Sequence, residues 1–300
     1  MLFNINSDTN KNLLAKPLWF LDNFINNLFP NLYVDKNIRI KNFNINENFN
    51  SNNFSSYLTP SRTLCNHFWN SINWNLIANK LGNINILDIG CGSGLYGTHI
   101  DKLISNGFDN YLGVDAFENK AWSHYDKDER YKFLKLDASS IEKYYKDQNI
   151  IISQSALEHF SFDQELLKKI SQITIENKKP LIEIHLVPSS PCLYTYLWHG
   201  YRQYTPRSLS NITRTLSFDE CQVFMLGNSK CNNVHFKWIT IPEILNKLKL
   251  LKMANPKFTE IKNYVKERND SIKLGKNFNK PSFIGIVLFH NIKIDNLLIN

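Results

Sequence analysis

The run Ile84–Gly97, INILDIGCGSGLYG, constrains this chain more than any other stretch. Ile84, Ile86, Leu87 and Ile89 are apolar and β-branched or bulky, the pattern of a strand buried on both faces within a parallel sheet. Glycines then take over, and from Leu95 to Ser105 apolar residues at 95, 96, 100, 103 and 104 predict a helix. Strand, glycine turn and helix together point free backbone N–H groups at a ligand. Glycine is needed there because the backbone takes positive φ or lets a ligand approach closely. Asp88 stands two residues before the first of these glycines.

The downstream sequence repeats the alternation of strand and helix. Tyr111–Asp115 is an apolar strand ending in an acid, and Tyr131–Leu136 is another, followed by Asp137-Ala138. Asn149–Ser153 is a fourth, running into Gln154-Ser155-Ala156-Leu157-Glu158-His159; Phe162–Asn177 reads as a helix and Leu181–Val187 as a fifth strand. Successive β–α units of this length predict a doubly wound, mostly parallel α/β sheet. Every glycine or acidic landmark falls at a strand's carboxyl end, where such sheets bind ligands.

Two known patterns overlie the glycine bend. Asp88-x-Gly90-x-Gly92-x-Gly94 resembles motif I of the class I S-adenosylmethionine (SAM)-dependent methyltransferases, and the order of landmarks resembles their small-molecule members of the type 11/12 kind. Gly92-x-Gly94-x-x-Gly97 also satisfies the dinucleotide fingerprint, with Asp115 near the place of its ribose-binding acid. Asp88 favours the first, since a dinucleotide fold has no call for an acid at that point. The resemblance implies a seven-stranded Rossmann-like sheet with an antiparallel last strand, Phe283–His290. It implies SAM as cofactor, held by Asp88, Gly90, Cys91, Gly92, Gly94, Asp115, Ala116, Asp137, Ala138 and Ser153. In it Asp115 meets the ribose hydroxyls, while Asp137 and the Ala138 amide meet the adenine. The resemblance spans roughly residues 58–291, and the chain divides into an extension over 1–57 and a methyltransferase domain over 58–300, with a basic helical insertion at about 241–280.

The extension is Asn-rich. Leu14, Leu18, Leu21, Ile25 and Leu28 have the spacing of an amphipathic helix, and 42–53 reads as a polar linker. Ser61 is placed to cap a helix through Ala78 with Leu64, Phe68, Trp69, Ile72, Leu76 and Ile77 on one face. In the resembling family a helix here helps cover the cofactor. Thr205-Pro206 opens another helix, Cys221–Leu226 is a strand, and 241–253 and 258–268 read as helices.

Acceptor chemistry belongs to the loops after the fourth and fifth strands. His185, His159 and His199 are the candidate bases, since histidine titrates near neutrality. His185 interrupts the apolar fifth strand, which fits either a base at the site or a hydrogen-bonded core histidine, with Glu183 to orient it. Glu158, Tyr201, Arg202 and Tyr204 are candidate acceptor contacts, Arg202 for a carboxylate or phosphate. The density of Tyr, Trp and Arg at 194–204 suits a binding wall.

Composition narrows the function classes. No run of about 18 apolar residues occurs, so no membrane span is expected, and a continuous signal-peptide core is lacking. Five scattered cysteines without a CxxC pair fit a reducing, cytoplasmic setting and argue against a disulfide framework or a zinc site. Histidines 67, 99, 124, 235 and 290 show no ligand spacing, and no metal is expected. Nearly all of the net charge of +8 lies between Asn246 and Lys280, where ten basic residues meet three acids. That segment fits solvated helices or, alternatively, a nucleic-acid or protein substrate; aromatics for base stacking are sparse there. The expected activity is methyl transfer to an oxygen or nitrogen of a small polar molecule, such as a sugar or polysaccharide precursor. RNA or protein methylation, or NAD-dependent oxidoreduction, is the alternative.

Overall fold

A computed structural model describes residues 4–10, 12, 14–45, 55–145, 147–247, 261–273 and 280–298. The strands are β1 (Ile38–Asn42), β2 (Ile84–Ile89), β3 (Phe108–Asp115), β4 (Tyr131–Lys135), β5 (Ile150–Gln154), β6 (Leu181–Pro188), β7 (Glu220–Leu226) and β8 (Phe283–His290). They form one sheet in the order β1-β7-β8-β6-β5-β2-β3-β4. Every pairing is parallel except the two made by β8, which runs antiparallel between β6 and β7. The order reverses between β2 and β5, where a doubly wound sheet opens its ligand crevice.

Alternation along the buried strands splits the core between the two faces. Ile86, Ile150, Ile152, Ile182 and Ile184 pack on one side with Leu64, Phe68 and Trp69. Leu87, Ile89, Ile151, Ile286 and Leu288 pack on the other with Leu166, Ile170 and Leu209. The helices covering these faces are α1 (Ala15–Asn27), α2 (Pro60–Ser71), α3 (Trp74–Leu81), α4 (Leu95–Asp101), α5 (Asp163–Asn177), α6 (Pro206–Thr213), α7 (Ser229–His235), α8 (Ile241–Lys247) and α9 (Ile261–Lys273).

Four expectations change. The sheet has eight strands rather than seven, because the N-terminal extension supplies β1, which joins β7 in parallel from Ile38↔Cys221 to Asn42↔Met225. The helix expected from Ser61 to Ala78 is two helices. Thr59 Oγ1 accepts the Arg62 amide to cap α2 ahead of Pro60, and Asn73 caps α3 after a break at Ile72. That break is fixed from outside, where Asn73 N donates to Leu297 O at 2.7 Å. The helix expected to reach Ser105 stops at Asp101.

Helix α1 is turned over relative to its apolar spacing. It buries Ala15, Trp19, Asp22 and Asn23 and leaves Leu14, Leu21, Ile25 and Leu28 exposed. Polar docking explains this. Trp19 Nε1 donates to Gly200 O at 2.9 Å, and Asn23 Oδ1 accepts the Gln203 amide at 2.9 Å. Thr205 and Pro206 open α6 as expected, and Thr205 forms a capping box with Ser208. Most of the polar linker (46–53) and about half of the basic insertion (248–260 and 274–279) fall outside the described residues.

Candidate active site

The carboxyl ends of β2, β3 and β4 surround two adjoining hollows that share Gly90. The first, about 570 Å³, is lined by Asp88, Cys91, Gly92, Ser93, Tyr96 and Arg62 among others. The second, about 540 Å³, is lined by Asp115, Ala116, Asp137, Ala138, His159 and Tyr201 among others. Each is large enough for part of a nucleotide-sized ligand.

The glycine bend works as the sequence requires. Gly90, Gly92 and Gly94 all have positive φ, at 74°, 55° and 79°. A Cβ on Gly90 would meet the Ala156 Cβ at 2.5 Å, whereas one on Gly92 would project into open space. The bend therefore packs tightly below and stays clear above. Asp115 Oδ2 accepts the Gly92 amide at 2.9 Å and Oδ1 accepts the Phe117 amide at 3.0 Å, which fixes the carboxylate across the crevice from the bend. Asp137 caps the helical turn after β4 through Ser139; that hydroxyl and amide hold its pKa below the ordinary value.

Asp88 is 2 % exposed and accepts the Tyr111 hydroxyl at 2.6 Å. Burial pushes its pKa up to about 7, against the Tyr111 hydrogen bond and with help from Asp115. Arg62, in the first turn of α2, lines the first hollow and donates to Tyr96 Oη at 2.8 Å. Gln154 lines it too; its Oε1 accepts Trp69 Nε1, while its buried Nε2 has no hydrogen-bond partner among the described residues. Open space over Gly92, cationic and carboxylate groups in reach and an unmatched amide donor make a cradle for a charged amino-acid-like group. Asp115 and Asp137, in the second hollow, leave hydrogen-bond acceptors for a nucleoside beside it.

The second hollow has a wall from the N-terminus: Asn6, Asp8 and Thr9. Gly200 ties this wall down. Its amide donates to Asp8 Oδ2 at 2.7 Å, and its carbonyl accepts the Ser7 amide and hydroxyl, both at 3.1 Å. Tyr201 N in turn donates to Glu158 O at 2.7 Å. Asp8, His159, His199 and Glu158 thus meet in one place, with Asp8 Oδ2 3.0 Å from His159 Nδ1 and Glu158 Oε1 3.5 Å from His199 Nε2. Burial opposes the charge on His159, but the Asp8 hydrogen bond and the neighbouring Glu158 outweigh it and raise its pKa.

His199 and Glu158 line neither hollow, though His199 packs on His159, which lines the second; four other expected site residues lie elsewhere. His185 is wholly buried inside the sheet face, with Nδ1 2.8 Å from Ser153 Oγ and Nε2 3.3 Å from Glu183. It lines neither hollow, and Ser153, its partner, does not either. Alternation along β6 aims this histidine at the layer that α5 and α6 cover. Arg202 pairs with buried Asp163 at 3.3 Å, and Tyr204 donates to the same carboxylate at 2.7 Å. The pair is a strut under the aromatic loop and lines neither hollow. Sequence reasoning missed Asp8 and Arg62. Arg62 could have been noticed as a cation in the opening turn of the helix expected to cover the site; Asp8 gave no signal.

Residues 87–179 match a family model described as a methyltransferase domain. No curated protein sequence matches the chain. Among solved structures, the chain is similar to a SAM-dependent methyltransferase from Archaeoglobus fulgidus (19% identity, 71% of this chain and 89% of that one, TM-score 0.41). It is similar also to the [4+2]-cyclase SpnF (12%, 80% and 86%, TM-score 0.44). A third is the 1,6-didemethyltoxoflavin-N1-methyltransferase of Burkholderia thailandensis (13%, 72% and 75%, TM-score 0.41). Likenesses this distant carry no argument about chemistry. The stretch running from within β2 through α5 is thus similar to a methyltransferase domain, and it includes the strand ends that surround the two hollows.

Proposed function

We propose that this enzyme moves a methyl group from SAM to an oxygen or nitrogen of a small polar acceptor bound beside the N-terminal wall. The observation that carries this reading is the pair of hollows meeting at Gly90, with Asp88 in one and Asp115 and Asp137 in the other. Asp115 would hold the ribose, Asp137 and the Ala138 amide the adenine, and Asp88 with Arg62 the amino-acid end. Ala116, Cys91, Gly90, Gly92 and Gly94 supply the close walls. Bound there, SAM supplies an electrophilic methyl on a sulfonium, so the protein's task is chiefly to orient an acceptor in line.

His159, His199 and Tyr201 form the acceptor wall in this reading, with Glu158 beneath them. His159 and His199 are the groups placed to take a proton from the acceptor, a contribution of roughly 10²–10⁴-fold where one is needed. His185 and Ser153 belong to the sheet's internal hydrogen bonding, and Arg202 and Tyr204 to the loop's. The described part of the basic insertion lies in α8 and α9, and neither hollow is lined by it. That favours a small acceptor over RNA or protein.

Isothermal titration with S-adenosylhomocysteine (SAH) and with NAD tests the donor. SAH binding without NAD binding is expected. Asp115→Ala should weaken SAH at least tenfold, since hydrogen bonds to a charged group contribute about 1.5–3 kcal/mol each. NAD binding with no SAH binding would overturn the reading.

A further inference from the structure

We propose that Asp8, His159 and His199 form a site for one divalent transition-metal cation on the acceptor wall. One ligand atom from each of the three lies within 4.8 Å of the others. A single ion with bonds of about 2.0–2.2 Å spans such a set with small side-chain adjustments. Two imidazoles and a carboxylate suit zinc, manganese, iron or cobalt rather than calcium or magnesium, which take oxygen ligands.

The second observation is Glu158. It is wholly buried, and neither carboxylate oxygen has a hydrogen-bond partner among the described residues. A carboxylate so placed needs positive charge nearby. It has His199 Nε2 at 3.5 Å, while His199 Nδ1 faces Asp8 Oδ1 at 3.9 Å. A proton on Nε2, directed at Glu158, leaves Nδ1 with a free lone pair on the Asp8 side. That is the carboxylate–histidine–metal arrangement, in which a second carboxylate sets the tautomer and raises the basicity of the ligating ring.

The site is also held in place. Asp8 is fixed by the Gly200 amide at 2.7 Å, and the two imidazole rings cross edge to face with centroids 4.6 Å apart. Its three ligands come from the N-terminal segment, the turn after β5 and the aromatic loop, so no local spacing in the sequence could reveal it. Three protein ligands leave coordination positions open, as catalytic rather than structural sites do. Asp8, His159 and Tyr201 line the second hollow together. With the cation bound both imidazole lone pairs are occupied, so the two histidines act as ligands instead of bases; the cation would take an oxygen of the acceptor, a hydroxyl or carboxylate, and favour loss of its proton to water. That role rests on the methyl-transfer reading; binding of the cation does not.

The test uses the full chain freed of metal by chelation and titrated with Zn²⁺ by calorimetry and with Co²⁺ by visible absorption. One equivalent is expected, with a cobalt d–d band and no thiolate-to-cobalt charge-transfer band. Asp8→Asn and His199→Gln should each weaken binding at least tenfold, and Glu158→Gln roughly 10–100-fold. Circular dichroism and thermal melting of the same proteins report that they are folded; Asp8→Asn, on a partly exposed segment, carries the comparison if a buried-site variant fails to fold. Absence of binding by the parent chain, equal binding by the variants, or a thiolate band would overturn the site. Cobalt binding without SAH binding would leave the metal site standing and remove the methyl-donor reading instead.

Discussion

Asp88 answers two opposed demands. Burial raises its pKa to about 7, above the ordinary 3.8, so the folded chain holds this proton more tightly than the unfolded one. Its contribution to stability is therefore full below about 3.8 and declines as pH rises towards 7. A ligand's ammonium group prefers the ionised carboxylate. SAH affinity is thus expected to rise as pH climbs through 7, and Asp88→Asn should flatten that rise; calorimetry on either side of neutrality checks both. Asp115 and Asp137 were legible as crevice-lining residues because each stands at or just beyond a strand's end, and strand ends converge in this architecture. Asp8 and Arg62 were not, because their positions depend on how distant segments dock. His185 shows a different limit. Alternation says which face a strand residue takes, but not whether that face is covered at that point.

Strand β6 carries two polar residues, Glu183 and His185, on a face otherwise packed with aliphatics. They are tied to the neighbouring strands. Glu183 Oε1 lies 2.6 Å from His290 Nε2 on β8, and His185 reaches Ser153 on β5. Burial alone would raise the Glu183 pKa, but hydrogen bonds from His185 and His290 outweigh it and bring it down to about 2. The resulting stability is present above about 4.5 and is lost as pH falls towards 2. Glu183→Gln should destabilise the protein by about 3–5 kcal/mol near neutrality, as loss of one partner in a buried charged set does. It should also remove that acid-dependent fall while leaving SAH affinity intact, read from urea unfolding across the pH range. At the scale of elements the continuous apolar strands were readable and β1 was not, since Ile38-Arg39-Ile40-Lys41-Asn42 is a short, half-polar edge strand in an Asn-rich stretch. The orientation of α1 was misread for a related reason. Hydrogen bonds from Trp19 and Asn23 overrode the leucine spacing.

The molecule closes its ligand crevice with a segment that precedes α1. Asn6, Asp8 and Thr9 stand on the same hollow as Asp115 and Asp137, far from them in sequence. Removal of residues 1–10 is expected to weaken SAH binding several-fold and to abolish the proposed cation binding. The melting temperature should change little, because α1 keeps its own bonds to the 200–203 loop. Strand β8 has a wider reach. β7 touches the sheet only through β8, and β1 only through β7. During synthesis, then, Ile38–Asn42 emerges early and waits for Glu220–Leu226, and that pair cannot join the rest of the sheet until Phe283–His290 leaves the ribosome. From its own synthesis until then β6 also presents an open edge towards the place of β8, so the last strand to be made closes two edges at once and ends the interval in which they can mispair.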